Sequence, residues 1–95
     1  MDKKIPPHKE VALSEINANY KGDSATQQCE RLLAGLRLFS LNTFEASRAL
    51  SIYYPPARIF TLREQGHPID TIWETIIDEN GGRHRVGCYV LRRSI

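Results

Sequence analysis

Two clusters of basic side chains are the residues best suited to chemistry in this chain. Arg58 and Arg63 lie within one short segment with Tyr54, Thr61 and Gln65, and Arg83, His84 and Arg85 stand together just after a glycine pair. A guanidinium pairs with a phosphate or grips the O6 and N7 edge of guanine with two hydrogen bonds. The hydroxyls of Tyr54 and Thr61 and the amide of Gln65 would add donors and acceptors beside Arg58 and Arg63. A positive tip at Arg83, His84 and Arg85 is what a phosphate backbone attracts. Both clusters also have an ordinary explanation. An arginine beside a buried stripe can lay its stem on the core and pair with a carboxylate such as Glu45 or Glu64, and a charged hairpin tip helps solubility.

Catalysis finds no comparable support. The sequence has no HExxH, no phosphate-binding glycine loop and no nucleophile with a nearby base, and His8, His67 and His84 are scattered. Cys29 and Cys88 form no CxxC pair and have no histidine at zinc-ligand spacing, so both are expected to be reduced packing residues. No enzyme activity, metal or cofactor is expected. A net charge of +2 is too small to identify a partner by itself. Its distribution says more: Glu64, Asp70, Glu74, Asp78 and Glu79 come first in the C-terminal part, and Arg83, Arg85, Arg92 and Arg93 follow with no acid among them. With 95 residues there is room for one core. No apolar run approaches the roughly 18 residues of a membrane span, and the first seven residues lack the apolar stretch of a secretion signal, so a cytoplasmic protein is expected.

The elements that would position these side chains can be read from capping and turn chemistry. Residues 1–24 read as a flexible polar arm with one weakly periodic patch, Val11, Leu13 and Ile16, compatible with a short helix or with none, and a domain is expected over 25–95. Ser24 and Gln27 have capping-box spacing, and Cys29, Leu32, Leu33, Leu36 and Phe39 recur at helical spacing behind them, which predicts a helix over 25–38 with Gln28, Glu30, Arg31 and Arg37 on its polar side. Asn42 to Glu45 opens a second, short helix in which Ala46 and Ala49 allow close approach. Pro55-Pro56 suits the first turn of a third helix that Gly66, His67 and Pro68 stop, with the His67 imidazole capping its last carbonyls. On this helix Ile59 and Leu62 mark the buried side, Ala57, Thr61 and Glu64 point away, and Arg58 and Arg63 lie on opposite flanks. An exposed Phe60 with Tyr53 nearby would suggest a protein contact. The period then changes. Ile69 to Ile77, where a helix is the alternative to a strand, and Arg85 to Leu91 read as strands joined through Asn80-Gly81-Gly82, with Trp73 and Tyr89 facing each other and packing on the helices.

Three helices followed by a C-terminal β-hairpin wing is an α+β winged helix-turn-helix order. Thr26-Gln27-Gln28-Cys29-Glu30-Arg31-Leu32-Leu33, then Ala57-Arg58-Ile59-Phe60-Thr61-Leu62-Arg63-Glu64-Gln65-Gly66-His67-Pro68-Ile69, and finally Tyr89-Val90-Leu91, resemble a family of small winged helix-turn-helix domains associated with phages and prophages. The resemblance spans about residues 26–91. It implies a double-stranded-DNA-binding transcriptional regulator, with the third helix in the major groove and the wing on the backbone. Pro55-Pro56 departs from it, because proline offers no hydrogen bond to a base edge at the opening of that helix. The alternative is a winged-helix module that pairs with itself or with a phage or host protein.

Overall fold

The computed structural model describes residues 5–93, so residues 1–4 of the expected arm and the last two of the expected domain lie outside the described residues. Most of the remaining arm is a helix, α1 (Pro7–Asn19), entered through Pro6-Pro7, which suit a first turn whose N–H groups lack partners. Its Leu13 and Ile16 are buried in the common core. Lys9 fastens it further, donating to Ser40 O and Glu45 Oε2, each at 2.9 Å. Polar composition makes this helix weak in the sequence, because only two of its side chains, Leu13 and Ile16, are buried.

Helix α2 (Ala25–Leu38) begins at the expected capping box, with Gln27 N donating to Ser24 Oγ at 3.1 Å and Ser24 N donating to Gln27 Oε1 at 3.3 Å. Cys29, Leu32 and Leu36 enter the core. Gln28 and Arg31, expected on the solvent side, are buried as well. A two-residue strand follows, β1 (Leu41–Asn42), and then α3 (Thr43–Ala49), so Asn42 both ends a strand and caps a helix. Its side chain accepts from Glu45 N at 2.8 Å, and its N–H donates to Glu45 Oε1 at 3.0 Å. Glu45 is thereby paired with Lys9 and Asn42 rather than with an arginine of the third expected helix.

The turn after α3 places Ser51 at φ 54, a left-handed conformation uncommon for a residue with a side chain. Arg31 holds this turn from within. Arg31 is 2% exposed, and its guanidinium donates to Leu50 O (2.7 Å) and Ser51 O (3.2 Å), and also to Tyr20 O and Gly22 O (2.7 Å each) beyond α1. One side chain therefore joins the end of α1 to the connection that aims the next helix, α4 (Pro55–Glu64). Helix α4 buries Pro55, Ile59 and Leu62, and it ends as its glycine stop predicts. Gly66 takes φ 96, its N–H donates to Arg63 O, and His67 N donates to Leu62 O, the pair of bonds that satisfies last-turn carbonyls. The backbone of His67, not its imidazole, supplies that cap.

Strands β2 (Ile69–Ile77) and β3 (Arg83–Leu91) pair antiparallel from Ile69↔Leu91 to Ile77↔Arg83, and β1 adds to the other edge of β3. The Asp78 carboxylate organises the hairpin tip by accepting from Asn80 N and Gly82 N, while Gly81 takes the positive φ. The expected packing of Trp73 is corrected. Trp73 stands opposite Gly87, Tyr89 stands opposite Thr71, and Trp73 is 57% exposed whereas Tyr89 is buried with its hydroxyl 3.1 Å from Thr43 Oγ1.

Candidate nucleic-acid interface

Alternation along the two strands sorts the side chains of the wing onto two faces. Thr71, Trp73, Thr75 and Ile77 share one face with Arg83, Arg85, Gly87 and Tyr89; Asp70, Ile72, Glu74 and Ile76 share the other with His84, Val86, Cys88 and Val90. The first is the face turned to α4. Ile69 and Tyr89 lie on it and reach the helical core, and Arg63 of α4 donates from its guanidinium to Ile69 O and Thr71 Oγ1, both at 2.8 Å. Both strand arginines thus fall on the α4 face, and both strand acids, Asp70 and Glu74, fall on the far face. Within the paired strands the charges are divided across the sheet, whereas Arg92, just beyond β3, lies 3.1 Å from Asp70 of the far face.

On the α4 face, the Arg85 guanidinium lies 4.9 Å from the centre of the Trp73 ring, a cation–π distance. Gly87 makes the arrangement fit, since a Cβ there would come within 3.1 Å of Thr71 Cγ2 and 3.7 Å of the indole. Arg83 is exposed beside them. His84 points the other way and sits 2.6 Å from Asp78 Oδ2. That contact, with the N–H groups of Gly82 and Asn80, holds the Asp78 carboxyl below its ordinary pKa. His84 is therefore not brought together with Arg83 and Arg85.

On α4, Arg63 is the brace between helix and wing. Arg58 is half-buried on the opposite flank, and its backbone carbonyl is 3.9 Å from the Cys29 thiol. Thr61 is half-buried and its hydroxyl donates to Ala57 O at 3.1 Å, within the helix. Tyr54 at the start of α4 and Gln65 at its end are exposed, and Tyr54 does not cap the helix with its side chain. Tyr53 and Tyr54, just before α4, and Phe60 within it are 73%, 66% and 64% exposed. The structure thus places Arg63 at the root of the wing, against Ile69 and Thr71, and Arg85 and Arg83 on the same sheet face towards the tip, opposite Thr75 and Ile77, with Trp73 between them as a member that the sequence pattern assigned to packing. Its signal was available in the register, because a glycine opposite a tryptophan on a strand leaves the indole without a neighbour across the ladder.

The two thiols lie outside this arrangement. Burial raises the pKa of Cys29, opposed by Arg58, and burial followed by the charge of Glu74 raises that of Cys88, so both remain protonated at neutral pH. A second basic group occurs at the root of the sheet, where Arg37, His67, Arg92 and Arg93 border a cavity of about 480 Å³, although Arg92 is engaged 3.1 Å from Asp70. The larger cavity, about 650 Å³, lies away from α4 between Ile5, Pro6, Phe44, Arg48 and Ile76. Among the described residues, no cluster of His, Cys, Asp or Glu is arranged to hold a metal ion, and no helix is long and apolar enough to cross a membrane.

Helices α2, α3 and α4 followed by a long hairpin, with β1 closing its root, define an α+β winged helix-turn-helix. The chain belongs to the winged helix-turn-helix domain family, whose family model matches residues 27–94. No curated protein and no solved structure matches the chain. Domains of this family are in general DNA-binding, and helix α1 precedes the matched span.

Proposed function

We propose that this protein binds double-stranded DNA, with α4 in the major groove and the β2–β3 wing along the phosphate backbone, and that it serves as a transcriptional regulator of phage or prophage origin. The observation that carries the DNA reading is the separation of charge across the wing: Arg83 and Arg85 share the α4 face, and Asp70 and Glu74 lie behind it. A polyanion approaching α4 would meet the arginines first. In this reading Arg83 and Arg85 contact phosphates, Trp73 holds the Arg85 guanidinium in place, and Arg63 sets the angle between helix and wing. Tyr54, Arg58 and Gln65 would meet the backbone or base edges along α4, with Thr61 limited by its bond to Ala57. His84, bound to Asp78 on the far face, contributes less. The regulatory role and phage origin rest on the resemblance of the α2, α4 and β3 segments alone.

The test is titration of a labelled duplex at several salt concentrations. Log affinity is expected to fall linearly with log salt, and Arg83→Ala and Arg85→Ala are each expected to reduce the slope by about 1, the value for one released phosphate contact. An absence of binding at low salt would overturn the reading.

A further inference from the structure

The outward side of α4 lacks the groups that read guanine. Arg63 is tied to Ile69 O and Thr71, Arg58 is half-buried on a flank, and the first turn consists of Pro55 and Pro56. Outward positions are held instead by Ala57, Phe60, Thr61 and Glu64, with Tyr53 and Tyr54 at the edge. Phe60 is 64% exposed, and Thr61 has its hydroxyl occupied by Ala57 O. An exposed phenyl ring beside an alanine matches one feature of the major groove in particular, the C5-methyl group of thymine, the apolar mark that distinguishes this base there. Glu64, one turn after Phe60, would repel phosphate but can accept a hydrogen bond from the N4 amino group of cytosine. In the DNA-binding reading the partner of this apolar strip is DNA, with Arg63 on the wing-side flank of α4 and Arg83 and Arg85 on the wing face turned to that helix.

We infer that α4 selects its site by apolar contact of Phe60 with thymine methyl groups rather than by arginine contacts to guanine. This rests on the DNA-binding reading above and assigns the base class that the helix reads.

Replacing thymine by deoxyuridine removes only that methyl group, so it isolates the contact. A duplex obtained by affinity selection from a random pool would be synthesised once with thymine and once with deoxyuridine throughout its core, and bound by the wild type and by Phe60→Ala. The wild type is expected to lose about fourfold in affinity per contacted methyl group, while Phe60→Ala binds the two duplexes within twofold of each other. Because Phe60 is exposed, the substitution leaves the core intact. If the wild type binds the thymine and deoxyuridine duplexes equally, the inference fails and DNA binding stands. If no duplex is bound, the DNA reading itself fails. If Phe60→Ala retains the thymine preference but turns a dimer into a monomer, the strip belongs to a second copy of the chain and the inference is overturned.

Discussion

Removing the guanidinium of Arg31 would break its bonds to four carbonyl oxygens at once, those of Tyr20, Gly22, Leu50 and Ser51, and leave the buried one, that of Leu50, unpaired. Hydrogen bonds to a charged group contribute about 1.5–3 kcal/mol each, and a buried acceptor left unpaired costs about 1–3 kcal/mol. Arg31→Met keeps the apolar stem but none of these bonds, so it is expected to lower stability by about 3 kcal/mol or more, measured by urea unfolding. A change below 1 kcal/mol would mean that the α3–α4 turn does not depend on Arg31. The sequence places Arg31 on the polar side of α2 because charge is normally solvated. Gly35, one turn further along, held the opposite signal: it is buried, and a Cβ there would come within 3.0 Å of both Leu41 and Leu50. A glycine inside a helix marks a close approach, and Gln28, Arg31 and Gly35 form one line facing that approach.

The elements that the sequence makes legible are those closed by local chemistry. Ser24 with Gln27, Asn42 with Glu45, Pro55-Pro56, Gly66 and the Asp78–Gly82 tip each act within a few residues, and α2, α3, α4 and the hairpin begin or end on them. Helix α1 and strand β1 depend instead on distant partners. Strand β1 exists because Leu41 and Asn42 reach Tyr89 and Cys88, and α1 is held by Leu13, Ile16 and Lys9. The wing faces follow from alternation once the tip is fixed, but the Arg63 brace to Ile69 and Thr71 appears only in three dimensions. If α1 is integral to the domain rather than an arm, Leu13, 0% exposed, should behave as a core residue. Leu13→Ala is expected to destabilise the protein by about 2–5 kcal/mol in equilibrium unfolding. Wild-type stability in this variant would mean that α1 can detach without loss.

Across the molecule, a net charge of +2 conceals a directional arrangement. The strand acids Asp70 and Glu74 stand behind the wing, Arg83 and Arg85 stand on the face turned to α4, and Tyr53, Tyr54 and Phe60 are exposed at the start and along the length of that helix. Such a surface attracts a polyanion by orientation rather than by total charge, so binding is expected to be salt-sensitive but moderate in strength. The one tryptophan of the chain lies within this surface, 57% exposed under Arg85. Titration of the protein with duplex DNA at low salt, followed by the emission of Trp73, is therefore the most direct measurement of the central claim. A saturable change in Trp73 emission that reverses on adding salt is the expected result. Unchanged emission while a labelled duplex is shown to bind would place the DNA elsewhere on the molecule and contradict the interface described by α4 and the wing.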